Sequence, residues 1–260
     1  MGGREDMPFS EEFIEVLYRI PVLLVSFTVH ELSHAYVSYR QGDPTPKLAG
    51  RITLNPIKHI DPIGAIMLLV ARFGWAKPVP IDPSYYKNRK AGIMLTSFAG
   101  PLSNIVLAAI CTAFFALFVD LFSGHSLKEL FEAMNYVIGE DTFGNNLMSL
   151  SGVLYFLTMG GFTGVYLTTV QTVALTLLLN FISINILLAA FNLVPIPPLD
   201  GSKILFSILP ERIYYRYILP YERYGMFLIM ALSFTGVLSF ILTPFFNVVQ
   251  TIIISIITVF

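Results

Sequence analysis

Five stretches of this chain are apolar almost without interruption: Phe13 to Tyr39, Ile93 to Phe122, Gly164 to Leu193, Tyr224 to Ile241 and Phe245 to Phe260. A helix needs about 20 residues, at about 1.5 Å each, to cross the hydrocarbon of a bilayer. The runs are continuous instead of alternating, which predicts helices and not the strands of a barrel. Thr243-Pro244 separates the last two and is expected to turn a C-terminal helical hairpin, 224–260, because proline ends helices. Composition agrees: the 260 residues are 55% hydrophobic and 13% charged, with a mean hydropathy of +0.70, where a soluble domain carries roughly 25% charged residues. A soluble globule and a disordered chain are both excluded. The expected fold is an all-α polytopic membrane protein with about five to six transmembrane helices. It is read as a single integral-membrane domain, 1–260, with its core at 13–210.

Two shorter apolar stretches do not reach spanning length. Ile60 to Phe73 reads as a re-entrant or interfacial helix, and Leu199 to Leu209, after a proline cluster, as a half-buried one. The start, MGGREDMPFSEEF, is acidic where a signal peptide is basic, and Asp6 stands where myristoylation wants Ser or Thr. Nine basic residues fall between Arg40 and Lys90 and four between Lys203 and Arg223, whereas Gly124 to Gly164 holds only Lys128 against four acids. The positive-inside rule then puts the first two regions in the cytoplasm, the third outside, and the acidic N-terminus outside. Lys plus Arg (16) nearly balances Asp plus Glu (17), so a nucleic-acid partner is not expected. The single cysteine, Cys111, can form no intramolecular disulfide and reads as a small hydrophobe.

Inside the first apolar run stands His30-Glu31-Leu32-Ser33-His34. Helical spacing of four puts both imidazoles on one face, one turn apart, where they can ligate one metal. Glu31 stands beside them as a base for water. Each ionisable group costs a few kcal/mol in a span, so three together point to function.

A catalytic zinc site takes a third protein ligand and leaves one position open. Asp200, in Asn192-Leu193-Val194-Pro195-Ile196-Pro197-Pro198-Leu199-Asp200-Gly201, lies where prolines break the third run and free backbone groups to line a wet cavity. His59 and Asp61 are alternatives on the same side, in a loop. Asp120 lies at the opposite end of its helix and is excluded by topology.

Together HELSH, GRITLNPIKHIDPIG, GWAKPVP, Ala99-Gly100-Pro101 with Asn104, and NLVPIPPLDG resemble the intramembrane site-2 zinc metalloproteases, over roughly residues 22–110 and 180–205. The resemblance implies one Zn2+ per chain on His30, His34 and Asp200, with Glu31 as general base. Asn104 and Asn192 match family asparagines that position substrate or stabilise its oxyanion. It further implies a transmembrane protein substrate, regulated intramembrane proteolysis and a prokaryotic plasma membrane, with the site opening toward the cytoplasm. Neither a PDZ-like insertion nor a nucleotide-sensing domain is expected here.

A substrate helix shields its peptide bonds, so it must unwind, and Arg51-Ile52-Thr53-Leu54 has the composition of a small β element whose edge could hold it; a membrane-surface loop is the alternative. His59 and Asp61 read either as partners of the ligand imidazoles or as a loop turn. Trp75, Tyr85 and Tyr86 read as interface markers, with substrate gating by Trp75 the alternative, and His125 as a solvated loop residue. Gly100-Pro101 is expected to permit close helix packing near the site. A transporter using His and Glu as a relay would often show inverted repeats, and the sequence has none. A binder without activity would lack one of His30, Glu31, His34 and Asp200, and all four are present.

Overall fold

HELSH lies in the second half of α1 (Glu11–Arg40), a 30-residue helix that carries Pro21 in its interior. The structure, a computed structural model, describes residues 11–71, 74–126, 128–130, 153–154, 157–158, 167–213, 216 and 224–258. After α1 the chain turns at Gly42, whose φ of +106° suits a residue without a side chain, into the short α2 (Thr45–Leu48). Next comes α3 (Pro62–Ala71). The long α4 (Arg89–Ser123) starts where the Asn88 side chain accepts from the Ala91 N–H and stops at Gly124, φ +70°. A capping box of Thr168 and Gln171 opens α5 (Thr169–Leu193). The chain closes with α6 (Asp200–Ile208), α7 (Gly225–Phe234) and α8 (Val237–Thr258).

Four helical stretches among the described residues are long and apolar enough to cross a membrane: Arg19–Arg40, Arg89–Ser123, Thr169–Leu193 and Val237–Ile256. The expected five to six are therefore not reached there. At about 1.5 Å per residue the ten-residue α3 and α7 each extend only about 15 Å, half a bilayer. The expected turn at Thr243-Pro244 is corrected: Pro244 lies within α8, and the break falls at Gly236, whose φ of +74° ends α7. Most of 124–163, read from sequence as an outer segment, lies outside the described residues; His125 there is half-buried and faces Glu129 at 3.7 Å.

α4 is the hub, packed against α1, α5, α6 and α8. One face buries Ala108, Cys111, Phe115 and Val119 against Leu175 and Ile182 of α5. Another leaves Leu102, Val106, Ile110, Phe114, Leu117 and Leu121 exposed, an apolar stripe at helical spacing suited to lipid. Below the site, a second cluster joins Ala190, Val194 and Leu199 to Ile229, Leu238 and Leu242 of the closing helices.

The expected β element at Arg51 to Leu54 is also corrected. Ile52 to Leu54 form bends, and pairing nearby reduces to one antiparallel bridge, Ile60 with Ala76, beside a 2.9 Å bond from the Lys77 N–H to the His59 carbonyl. Arg51 is buried, so the segment cannot present an even edge.

At the end of α1 a buried polar knot ties three segments together. Ser38 Oγ donates to Asp43 Oδ2 at 2.8 Å and lies 2.7 Å from the Tyr86 hydroxyl, which is 3.1 Å from Thr96 Oγ1 on α4. The Asp82 N–H also reaches Asp43 Oδ2, at 2.9 Å. Tyr86 is thus a buried strut and not the interface marker expected; Tyr85 is the exposed one. Burial pushes the Asp43 carboxyl up, but the bonds from Thr45, Asp82 and Ser38 hold it below its ordinary value. A depressed carboxyl stabilises the fold fully above the unfolded value, about 3.9, and loses that contribution as pH falls through the folded value. Thermal unfolding in detergent should accordingly find Asp43→Asn less stable than the wild type at neutral pH, with the gap narrowing in acid. Tyr86→Phe, which removes the hydroxyl that links Ser38 to Thr96, should cost about 0.5–1.5 kcal/mol.

Candidate metal centre

α1 supplies both imidazoles and the first turn of α6 supplies a carboxylate, and the three converge. His34 Nε2 lies 3.0 Å from His30 Nε2 and 3.0 Å from Asp200 Oδ2, and His30 Nε2 lies 3.2 Å from that same oxygen. All three side chains are buried. The rings meet edge to face with centroids 4.6 Å apart.

The outward nitrogens are committed elsewhere. His34 Nδ1–H donates to the Thr96 carbonyl at 2.6 Å, and His30 Nδ1–H donates to Asn104 Oδ1 at 2.6 Å. With those protons fixed, each Nε2 of a neutral ring presents a lone pair to the other and to a carboxylate oxygen. Three acceptors facing one another repel unless a cation lies among them. Ligands about 2.0–2.1 Å from a tetrahedral zinc lie roughly 3.3 Å apart, close to the spacing found. The donor set therefore fits zinc.

Several local features make this meeting possible. A Cβ on Gly100 would fall onto His34 Nε2 and 2.6 Å from two atoms of His30, so only glycine lets α4 lie against the two rings. A Cβ on Gly201 would fall on the Leu193 carbonyl, so the Asp200-Gly201 pair presses the start of α6 onto the end of α5. Lys203 Nζ, 3.3 Å from Asp200 Oδ1, holds the oxygen that does not face the imidazoles. Behind His30, Asn104 Nδ2 donates to Asn185 Oδ1 at 2.7 Å, and Asn185 Nδ2 donates to Ser26 Oγ at 2.9 Å.

Of the other residues singled out, Glu31 and Asn192 line a cavity of about 450 Å³ with the three converging groups, and Asn104 does not. Glu31 Oε2 accepts from the Val79 N–H at 3.0 Å. Asn192 Nδ2 donates within its own helix, to the Leu188 carbonyl at 2.9 Å. Asn104 is fully buried with both ends of its amide bonded. His59 and Asp61 stay outside the group: His59 Nε2 bonds the Thr53 carbonyl at 2.9 Å, and Asp61 Oδ1 caps α3 through the Ile63 and Gly64 N–H groups. Trp75 lines the same cavity and a smaller apolar one of about 230 Å³ between α1 and α3. Thr96, Asn185, Ser26 and Val79 carry no motif signal; Thr96 and Val79 act through backbone groups.

A bilayer-spanning helical protein with two histidines and an aspartate gathered beside a glutamate is a membrane metalloenzyme in outline, and the comparisons give the class. The sequence profile of Peptidase family M50 matches residues 18–236, and the chain belongs to that family. It is 35% identical over 230 residues to the Bacillus subtilis protein named Putative zinc metalloprotease YwhC, covering 88% of this chain and 86% of that protein. It is 33% identical over 103 residues to Putative zinc metalloprotease Rip2 of Mycolicibacterium smegmatis, covering 37% of this chain and 39% of that protein. The same identity, over 101 residues, relates it to the Rip2 of Mycobacterium tuberculosis. No solved structure matches the chain at a significant level. The protein is a zinc-dependent metalloendopeptidase, integral to a membrane.

Loss of an outer partner of a ligand imidazole weakens metal binding about 10–100-fold in known sites. Asn104→Ala should fall in that range when zinc affinity is measured by competition with a chelator. Gly100→Ala should bind less zinc still, because the added methyl occupies the space of the rings themselves.

Proposed function

We propose that the enzyme cleaves peptide bonds in or near transmembrane segments of membrane-protein substrates, in regulated intramembrane proteolysis. His30, His34 and Asp200 would hold zinc, which when bound would supply Lewis acidity toward water and a carbonyl. The observation that carries the reading is the placing of these groups and Glu31 on one cavity, with His30, Glu31 and His34 in a helix long enough to span a bilayer.

Glu31 is the general base. With Oε2 taken by Val79, its other oxygen accepts the proton of the attacking water and then returns it to the leaving nitrogen. Asn192, on the cavity wall, binds the substrate carbonyl or its developing oxyanion. Asn104 orients His30 in place of the substrate or oxyanion role the resemblance implied, since its amide is bonded at both ends. Water enters from the cytoplasmic side, where the prolines between Val194 and Leu199 break the helical ladder. Basic loops put that side in the cytoplasm and the start of α1 outside. The long bacterial match supports a prokaryotic plasma membrane.

The substrate must lie extended to expose its backbone. Because Lys77 N–H points to His59, strand alternation turns the N–H and C=O of Ala76 the opposite way, and Ala76 lines the cavity. An unwound substrate segment can pair there, where the sequence pointed to Arg51 to Leu54.

The test compares purified wild type, Glu31→Gln and Asn192→Ala in detergent, with bound metal determined and a single-span model substrate added. All three should carry about one zinc. Only the wild type should cleave at full rate, with Glu31→Gln inactive and Asn192→Ala slowed by about 100- to 1000-fold. Cleavage by Glu31→Gln at the wild-type rate would overturn the assignment of the base.

A further inference from the structure

The Val79 N–H that holds Glu31 belongs to the same peptide unit as the Pro78 carbonyl. That carbonyl accepts from Arg51 Nη1 at 2.9 Å, and the carbonyl before it, of Lys77, accepts from Nη2 of the same guanidinium. The bond between residues 78 and 79 is trans, so its C=O and N–H point in opposite directions within one plane. A single rigid peptide thus lies between a cation and a carboxylate: Arg51 on its oxygen, Glu31 on its nitrogen. Pro78 and Pro80 have no N–H, which leaves Val79 as the only backbone donor of that tripeptide.

We propose that Arg51 is a positioning residue for the catalytic base, acting on Glu31 through the Pro78–Val79 peptide plane. This rests on the proposed role of Glu31. Arg51 is only 4% exposed, and a charge so buried needs a compensating one. Burial lowers the affinity of its guanidinium for the proton, and the Glu31 charge works against that. Two carbonyls bound by one planar guanidinium fix the rotation of the peptide between them. If that plane turned over, the Pro78 oxygen would face the carboxylate and repel it. With the plane fixed, the N–H polarised by Arg51 pins Oε2, and the second oxygen of Glu31 stays turned to the cavity. Hydrogen bonds in such a chain strengthen one another. Arg51 touches neither the metal ligands nor the space for substrate, so its effect falls on turnover and not on zinc or substrate affinity.

The experiment has two readouts on zinc-loaded full-length protein in detergent. In the first, selectively 15N-valine-labelled protein reports the Val79 amide proton, assigned by its disappearance in Val79→Ile. Its resonance should lie downfield in the wild type, as a bond to a carboxylate requires, and move upfield in Glu31→Gln. Arg51→Ala should move it upfield as well, and Arg51→Lys, which can reach one carbonyl, should leave it between. In the second, cleavage of the single-span substrate by Arg51→Ala should show kcat down by about 100-fold, the cost of an ångström-scale misplacement. KM and zinc content should stay near wild type, and Arg51→Lys should recover part of kcat. An unmoved Val79 amide in Arg51→Ala, or a kcat that stays at wild type, would overturn the proposal. So would a fall in activity that merely follows loss of zinc or of the thermal transition. If the amide responds to both substitutions while the wild type cleaves no substrate, the positioning link stands and the proposed function falls, so the two are separable.

Discussion

The structure depends on three hydrogen-bond acceptors brought together on buried side chains. His30, His34 and Asp200 place two imidazole lone pairs and a carboxylate oxygen within 3.2 Å of one another. Such a cluster is unfavourable on its own and strongly favourable around a cation, so a metal bound there would help hold α1 to α6. In lipid this matters more than it would in water. Apolar side chains gain nothing by leaving hydrocarbon for one another, and the relative placement of helices falls to packing and polar contacts. The run from His30 through Asn104 to Asn185 and Ser26 supplies those contacts for α1, α4 and α5 together.

Two stripes with a spacing of four explain how three helices serve one site. On α1 the stripe is Ser26, His30, His34 and Ser38; on α4 it is Thr96, Gly100, Asn104 and Ala108. Four residues is slightly more than one turn, so each stripe stays on one face and the two faces meet. Going along them, Ser26 meets the asparagine pair, His30 meets Asn104, His34 meets the Thr96 carbonyl over the flat surface of Gly100, and Ser38 meets Tyr86. Every polar side chain on the α1 stripe has a partner, and Asn104 serves two of them. A one-residue slip between α1 and α4 would break the pairings of Ser26, His30 and His34 at once, which is how a lipid-immersed helix pair acquires a single register.

What the sequence made legible follows from how local each signal is. His30, Glu31 and His34 are readable because four-residue spacing is itself the geometry of the site. Asp200 was one of several candidates, since a contact 170 residues distant in sequence leaves no periodicity, and the proline cluster was the physical clue in its favour. His59 and Asp61 shared the composition of ligands but were already engaged, one on the Thr53 carbonyl and one capping α3. Arg51 to Leu54 has strand-like residue types, yet a buried arginine breaks the alternation an edge strand needs. Pro244 read as a helix end, but a proline inside a span is tolerated when neighbouring groups re-satisfy the backbone; a glycine at positive φ, Gly236, broke the chain instead. Thr96 and Val79 contribute a carbonyl and an N–H, which every residue has, and so no residue type could announce them.

The site divides its labour between two kinds of structure. Paired helices hold the metal-facing groups, where the stripes of α1 and α4 fix each imidazole by its far nitrogen. Glu31, the proposed base, is held differently, through Val79 of the loop Lys77-Pro78-Val79-Pro80. Prolines fix φ at two of those four positions, and Arg51 grips the carbonyls of the first two. A loop stiffened in this way can set one carboxylate oxygen without adding another helix to the bundle. It can also border the cavity that a substrate must enter, because an extended backbone has an edge to offer and a helix does not. In the proposed reading, affinity for zinc and orientation of the base therefore rest on different residues, which meet at the His30-Glu31 peptide.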